Sequence, residues 1–150
     1  SNNDKTNQTT FTFKLDYLWK INKRNYIFIQ NQTGNLISDN LFVNELYRIG
    51  GVNSIRGFNE ESIFVSGYSV FNLEYRYKLN NSSYLYSISD YAYIKNDINK
   101  INTNNFGLGL GYSFLTKVGR INMSYAIGKF EEESFDFNNS KIHINMASFF

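Results

Sequence analysis

Residues of opposite character alternate one by one along almost the whole chain. This period of two, kept up over segments of about ten residues, restricts the fold more than any other feature of the sequence. In the first segment Phe11, Phe13, Leu15, Tyr17 and Trp19 share one face, opposite Thr12, Lys14, Asp16 and Lys20. Phe71, Leu73, Tyr75, Tyr77 and Leu79 alternate in the same way with Asn72, Glu74, Arg76 and Lys78. Later, Phe106, Leu108, Leu110, Tyr112 and Phe114 alternate with Gly107, Gly109, Gly111 and Ser113, so one face is bulky and the other almost bare. Further strands are expected over about 24–36, 84–94, 121–130 and 141–150, which makes seven, and helical periodicity is absent. Ten residues at about 3.3 Å each, tilted near 40°, reach about 25 Å, the height of the apolar band of a bilayer. Strands of soluble proteins are typically nearer five or six residues.

The connections carry a second signal. Short turns are expected near Asn22–Lys23, Asn80–Asn81 and Val118–Gly119, and long ones from about Ser38 to Ser66, Lys95 to Asn105 and Glu131 to Asn139. Short and long then alternate, the arrangement of outer-membrane barrels with tight periplasmic turns and larger outside loops. The fold class expected is therefore all-β, an antiparallel transmembrane barrel, with the C-terminus at the periplasmic side. Seven antiparallel strands leave the first and last running the same way, so they cannot close on each other. Residues 1–150 are accordingly expected to form the C-terminal portion of one larger barrel domain.

Composition removes other classes. No apolar run approaches the roughly 20 residues of a spanning helix, yet alternate strands facing lipid average to a middling hydropathy, so this does not exclude a membrane protein. The chain has no Cys and no Pro, which rules out a disulfide framework or thiolate metal site. A net charge of +2 with scattered Lys and Arg gives no basis for nucleic-acid binding. Ser1 to Asp4 show no Met, basic n-region or apolar h-region, so an export signal is expected to have been removed, or the chain is a fragment. His143 is the only histidine, which precludes a multi-histidine metal site; it is read as a wall residue on the polar face of the last strand. No nucleophile-elbow or phosphate-loop motif surrounds the Ser, Asp and Gly residues. No enzymatic activity, cofactor, metal or small-molecule substrate is expected. Glu131, Glu132 and Glu133 read as a solvated outer loop.

Within the longest connection lies Leu46-Tyr47-Arg48-Ile49-Gly50-Gly51-Val52-Asn53-Ser54-Ile55-Arg56-Gly57-Phe58. This resembles the Gly-Gly then (Val/Ile)-Arg-Gly-(Phe/Tyr) motif of the BamA and TamA family, part of the bacterial surface antigen superfamily. Asn72 to Tyr77 resembles the family's next strand, and Ser89-Asp90-Tyr91 the one after, with Ile88 where the family carries an aromatic. The Gly-x-Gly-x-Gly strand, Thr116, Lys117 and Gly119, and Ser124, Tyr125, Ala126 and Gly128 also fit the family pattern. The last strand resembles the C-terminal targeting signal of outer-membrane barrels, with Ile142, Ile144, Met146 and Phe150 on one face, although it lacks Gly.

The resemblance implies a parent barrel of roughly sixteen strands. It also implies that the loop carrying Ile55, Arg56, Gly57 and Phe58 folds back into the lumen, with Arg56 held by Glu74 and Asp90. A guanidinium drawn into a confined lumen loses hydration, which a carboxylate partner replaces with strong hydrogen bonds. The plainer alternatives are a solvated Arg56 and generic lumen-wall charges at Glu74 and Asp90. The function implied is non-catalytic insertion, assembly or translocation of proteins at the bacterial outer membrane, acting through a lateral seam. The expected partners are outer-membrane lipid, unfolded outer-membrane or secreted clients, and accessory assembly proteins. A two-partner-secretion transporter, which shares the Arg-Gly-Phe loop, and a passive porin are the rivals. A soluble β-sandwich binding module stands further off.

Overall fold

The computed structural model describes residues 7–148. Among the described residues nine strands form in chain order: β1 Gln8–Lys20, β2 Asn25–Ser38, β3 Tyr47–Ile49, β4 Ile63–Val65, β5 Gly67–Lys78, β6 Ser83–Asn96, β7 Ile101–Leu115, β8 Gly119–Phe130 and β9 Lys141–Ser148. Seven of them make one antiparallel sheet in the order β1-β2-β5-β6-β7-β8-β9, and β3 and β4 form a separate two-stranded ladder inside the longest connection. The large sheet is an open half-barrel whose edges, β1 and β9, run in the same direction. Several of its strands have 12 to 15 residues, so the sheet is tall as well as wide.

The two faces of this sheet are inverted relative to a water-soluble protein. Phe71, Leu73, Tyr75 and Tyr77 of β5, Leu85, Tyr91 and Tyr93 of β6, and Leu108, Leu110 and Tyr112 of β7 are exposed on the convex side, Leu110 to 70 %. On β5 and β6 the intervening Asn72, Glu74, Tyr86, Ile88 and Asp90 face the concave side and are buried. A contiguous exposed apolar surface of this size is one that lipid, not water, can cover. Ile142, Ile144 and Met146 of β9 belong to the same outer surface. Phe150, their expected companion, lies outside the described residues.

One expectation needs correcting. The segment from Lys95 to Asn105 is not a long loop: β6 runs to Asn96, β7 starts at Ile101, and the chain reverses within 97–100. Lys95 pairs with Asn102 and Asn96 with Ile101, so the Asn, Lys and Thr residues that suggest a loop are ladder residues. Strands that rise beyond the apolar band meet water on both faces, and their composition turns polar while the hydrogen bonding continues. The large connections, 39–66 and 131–140, still lie at one end of the sheet, and 97–100 lies with them. The turns at 21–24, 79–82 and 116–118 lie at the other.

Candidate functional site: the loop inside the half-barrel

Connection 39–66 leaves β2, folds back over the concave face and returns to β5. Its stem is the β3–β4 ladder, in which Tyr47 pairs with Val65 and Ile49 with Ile63. Three bonds tie the stem to the wall: Asn96 Nδ2 donates to the Phe64 carbonyl at 2.8 Å, and the Ser66 and Leu36 amides donate to the Lys95 and Ser66 carbonyls, each at 2.8 Å. Ile49, Ile55, Phe58, Ile63 and Val65 of the loop pack with Val70, Ala92 and Ile94 of the wall into one buried cluster. The loop therefore supplies most of the larger of the two hydrophobic clusters on the concave face. Each fully buried Ile or Phe contributes about 1.5–3 kcal/mol. This packing accounts for the apolar Ala92 and Ile94 on a wall where a water-filled pore would have polar residues, whereas Ile88 packs with Tyr86 and Ala126 in a second, smaller cluster of wall residues.

At the tip, Arg56 meets both carboxylates. Its Nε donates to Asp90 Oδ2 at 2.8 Å and its Nη2 to Asp90 Oδ1 at 2.6 Å, a two-pronged contact, and its backbone amide donates to Oδ2 at 2.9 Å. Nη1 donates to Glu74 Oε1. The second oxygen of Glu74 accepts from Arg76 Nε at 2.8 Å. Two guanidinium groups and two carboxylates thus form a neutral quartet, with Arg56, Glu74 and Asp90 exposed to only 6, 6 and 4 %. Neighbouring strands set the spacing: Asn72 of β5 is opposite Asp90 of β6, so Glu74 and Asp90 sit diagonally on one face and bracket the guanidinium. Burial works against the charge on Arg56, but the hydrogen bonds and fields of Asp90 and Glu74 outweigh it and hold the group protonated.

The rest of the tip is fixed by shape. Gly57 has φ of +90°, and a Cβ there would overlap the backbone of Ile127 and Gly128 in β8. The bare faces of β7 and β8 form the floor of this dock. A Cβ at Gly107 would run into the Arg56 carbonyl, and one at Gly128 into the Phe58 ring. Phe58 also makes an edge-on contact with Phe130, ring centroids 5.2 Å apart.

Three further residues join the site without having been assigned to it from sequence. Asn72 Nδ2 donates to the Ser54 carbonyl at 2.7 Å. Glu60 Oε1 accepts from the Val52 amide at 2.7 Å, closing the tip on itself. His143, read as a plain wall residue, is 6 % exposed, and its Nε2 accepts the Gly57 amide at 3.2 Å. An accepting Nε2 puts the ring proton on Nδ1, which faces Glu60 Oε1 at 3.8 Å, beyond a direct hydrogen bond. Of the three, Asn72 carried the clearest signal in the sequence, two residues before Glu74 and so on the same face. His143 gave only its parity in β9.

The loop tip thus reaches from β5 across to the edge strand β9, as a brace over the concave face. Compared with known proteins, residues 1–114 match the family model described as "Haemolysin secretion/activation protein ShlB/FhaC/HecB". No curated protein matches the chain. The match supports the wider superfamily to which the Arg-Gly-Phe loop pointed, and not BamA and TamA in particular. With the match covering most of the sequence and an antiparallel half-barrel behind it, the chain belongs to the ShlB/FhaC/HecB haemolysin secretion/activation family of outer-membrane β-barrel transporters.

Proposed function

We propose that the protein moves secreted polypeptide across the bacterial outer membrane as a transporter of the two-partner-secretion type, with the Arg56 loop as the element that fills and gates the lumen. The observation that carries this reading is the buried quartet of Arg56, Glu74, Asp90 and Arg76. It fastens a long loop across the conduit by contacts that are strong together and costly to break singly. Gating by such a loop is a movement between docked and displaced positions. It makes and breaks no covalent bond, and this reading needs no cofactor or metal. The short-turn end and the C-terminus face the periplasm, further strands outside the described seven complete the wall, and the exposed convex face meets lipid.

A second reading, insertion or assembly of outer-membrane proteins, is favoured by one observation. Among the described residues β9 is paired only through β8, so its other edge is free to template an incoming strand by main-chain hydrogen bonds. One experiment separates the two. Arg56→Ala is introduced into the full-length parent, and export of its secreted client is measured beside the levels of unrelated outer-membrane proteins. The transporter reading expects export to fall roughly tenfold or more while the unrelated proteins keep their levels. A general loss of outer-membrane proteins would transfer the function to assembly, and no change in either readout would remove the loop from both mechanisms.

A further inference from the structure

Charge is sorted along the axis of the half-barrel. No Asp or Glu occurs in 17–38, 75–89 or 98–130, the stretches that include all three short turns. Around those turns stand Lys20, Lys23, Arg24, Arg76, Lys78, Lys117 and Arg120. The opposite end carries Glu61, Asp97, Glu131, Glu132, Glu133 and Asp136 beside Lys95, Lys100, Lys129 and Lys141.

Register places part of the basic set on the concave side. Lys20 is opposite Tyr26, Tyr26 opposite Arg76 and Arg76 opposite Tyr86, a single row across four strands. Lys78, opposite Tyr84, lies one row nearer the turns on the same face. Aromatic rings hold two of the guanidinium groups. Arg76 Cζ sits 4.1 Å from the Phe28 ring centroid and 5.2 Å from that of Tyr84, and Arg120 Cζ sits 5.3 Å from Tyr84. Arg120 Nη1 also donates to Ser113 Oγ at 3.1 Å. A cleft of about 210 Å³ opens among Tyr26, Arg76, Lys78, Tyr84 and Arg120.

We infer that this inward-facing cationic and aromatic band is an entry site for acidic segments of an unfolded polypeptide, which it captures at the short-turn end before they pass the loop. The inference rests on the transporter reading and names the chemistry of the segment that enters first. Guanidinium groups match carboxylates: Arg76, whose Nε is bonded to Glu74, offers its Nη atoms, and the Phe28 and Tyr84 rings hold Arg76 and Arg120 in place before a ligand arrives. The aromatic faces between the charges suit the apolar side chains that an unfolded chain also presents. Lipid headgroups are the other anion source at a barrel rim, and orientation decides against them. At the same level the lipid-facing side carries Tyr75, Tyr77, Leu79 and Leu85, while Arg76 and Lys78 point inward. The opposite end mixes carboxylates with lysines and offers the same segments no comparable cationic surface, so the short-turn mouth is the favoured one.

The test is binding of labelled poly-glutamate to the detergent-solubilised full-length parent, read by fluorescence anisotropy beside poly-lysine of equal length. Poly-glutamate should bind preferentially and release with added salt. Lys78→Gln combined with Arg120→Gln should weaken it roughly tenfold, the scale of one charge-assisted contact. Lys78→Gln alone, at a residue with no ion pair among the described residues, should give a smaller loss and keeps the test valid if the double variant folds poorly. Equal binding of the two polymers, or affinity unchanged in both variants, would overturn the inference. So would binding that appears only in anionic-lipid nanodiscs and ignores the substitutions, since the charges would then serve headgroups. Preferential poly-glutamate binding by a parent that exports nothing would leave the site standing and remove the transporter reading. Normal export without that preference would do the reverse.

Discussion

At the scale of single residues the site turns on an imbalance that Arg56 resolves. Glu74 and Asp90 are buried on one face of the wall, and without the loop guanidinium Arg76 would be the only cation left to them. Arg56→Ala should therefore cost about 3–5 kcal/mol, the range for leaving a buried charge unpaired. Thermal unfolding followed by heat-modifiable gel migration would show this, and an unchanged transition would mean that water had replaced the guanidinium. Arg56→Lys keeps the charge but loses the fork that holds Asp90 at 2.8 and 2.6 Å, so it should recover only part of the loss. The residue types at this site were named from the sequence through the resemblance of the loop to the Arg-Gly-Phe motif, which put Arg56 with carboxylates on the two neighbouring strands that carry Glu74 and Asp90. Which oxygen meets which nitrogen was not legible, since that depends on a diagonal offset between β5 and β6.

Elements add contacts that no residue pattern announces. The loop tip is tied to β9 by the Gly57 amide on His143, residues 86 apart in the chain. His143→Leu should leave that amide without an acceptor, at about 1–3 kcal/mol, whereas His143→Gln supplies a carbonyl oxygen in reach and should retain most of the stability. Hydrogen exchange at Gly57 would read this directly; protection equal to wild type in the Leu variant would mean that Arg56 alone holds the tip. Turn 97–100 gives a pH prediction outside the membrane. The Lys95 ammonium, 2.6 Å away, and the Ser66 hydroxyl hold the Asp97 carboxyl below the usual carboxylate range, against the opposing effect of burial. Because the folded value is the lower one, the turn's extra stability is full above the usual carboxylate pKa of about 4 and is lost as pH falls through the folded value. A carboxyl titration by NMR should put the Asp97 midpoint below that of a model peptide, and a midpoint at or above it would remove the contact. The same turn shows why the sequence misplaced a loop. Asn and Lys residues between Lys95 and Asn105 look like loop composition, yet the ladder runs through them once the strands leave the apolar band.

For the molecule as a whole, the governing quantity is the environment of each face. Leu110, 70 % exposed on the convex side, should tolerate other apolar residues but not charge. Leu110→Arg near the middle of the apolar band should cost about 2–4 kcal/mol of stability in a bilayer, while Asn145→Arg on the concave side should cost far less. The folded fraction in lipid vesicles, measured by heat-modifiable migration, would compare the two. Equal losses would mean that the convex face is not against lipid. The loop core belongs to this scale as well. Ile55 and Val65 are fully buried although they lie in a connection, because the interior of the half-barrel is closed by the chain itself.

The sequence by itself determined the seven sheet strands, their two faces and which of the faces is apolar. Alternation is a local property of extended backbone, and each residue's side follows from its parity alone. The Gly positions of β7 already marked a bare face, but only the folded chain shows that this face receives the Arg56 carbonyl. Tertiary structure decided the dock on β8, the bond from Gly57 to His143, the short turn at 97–100 and the row that joins Lys20 to Arg76. These depend on register and on approach between distant segments, where a shift of one residue exchanges every partner and no local pattern records the choice.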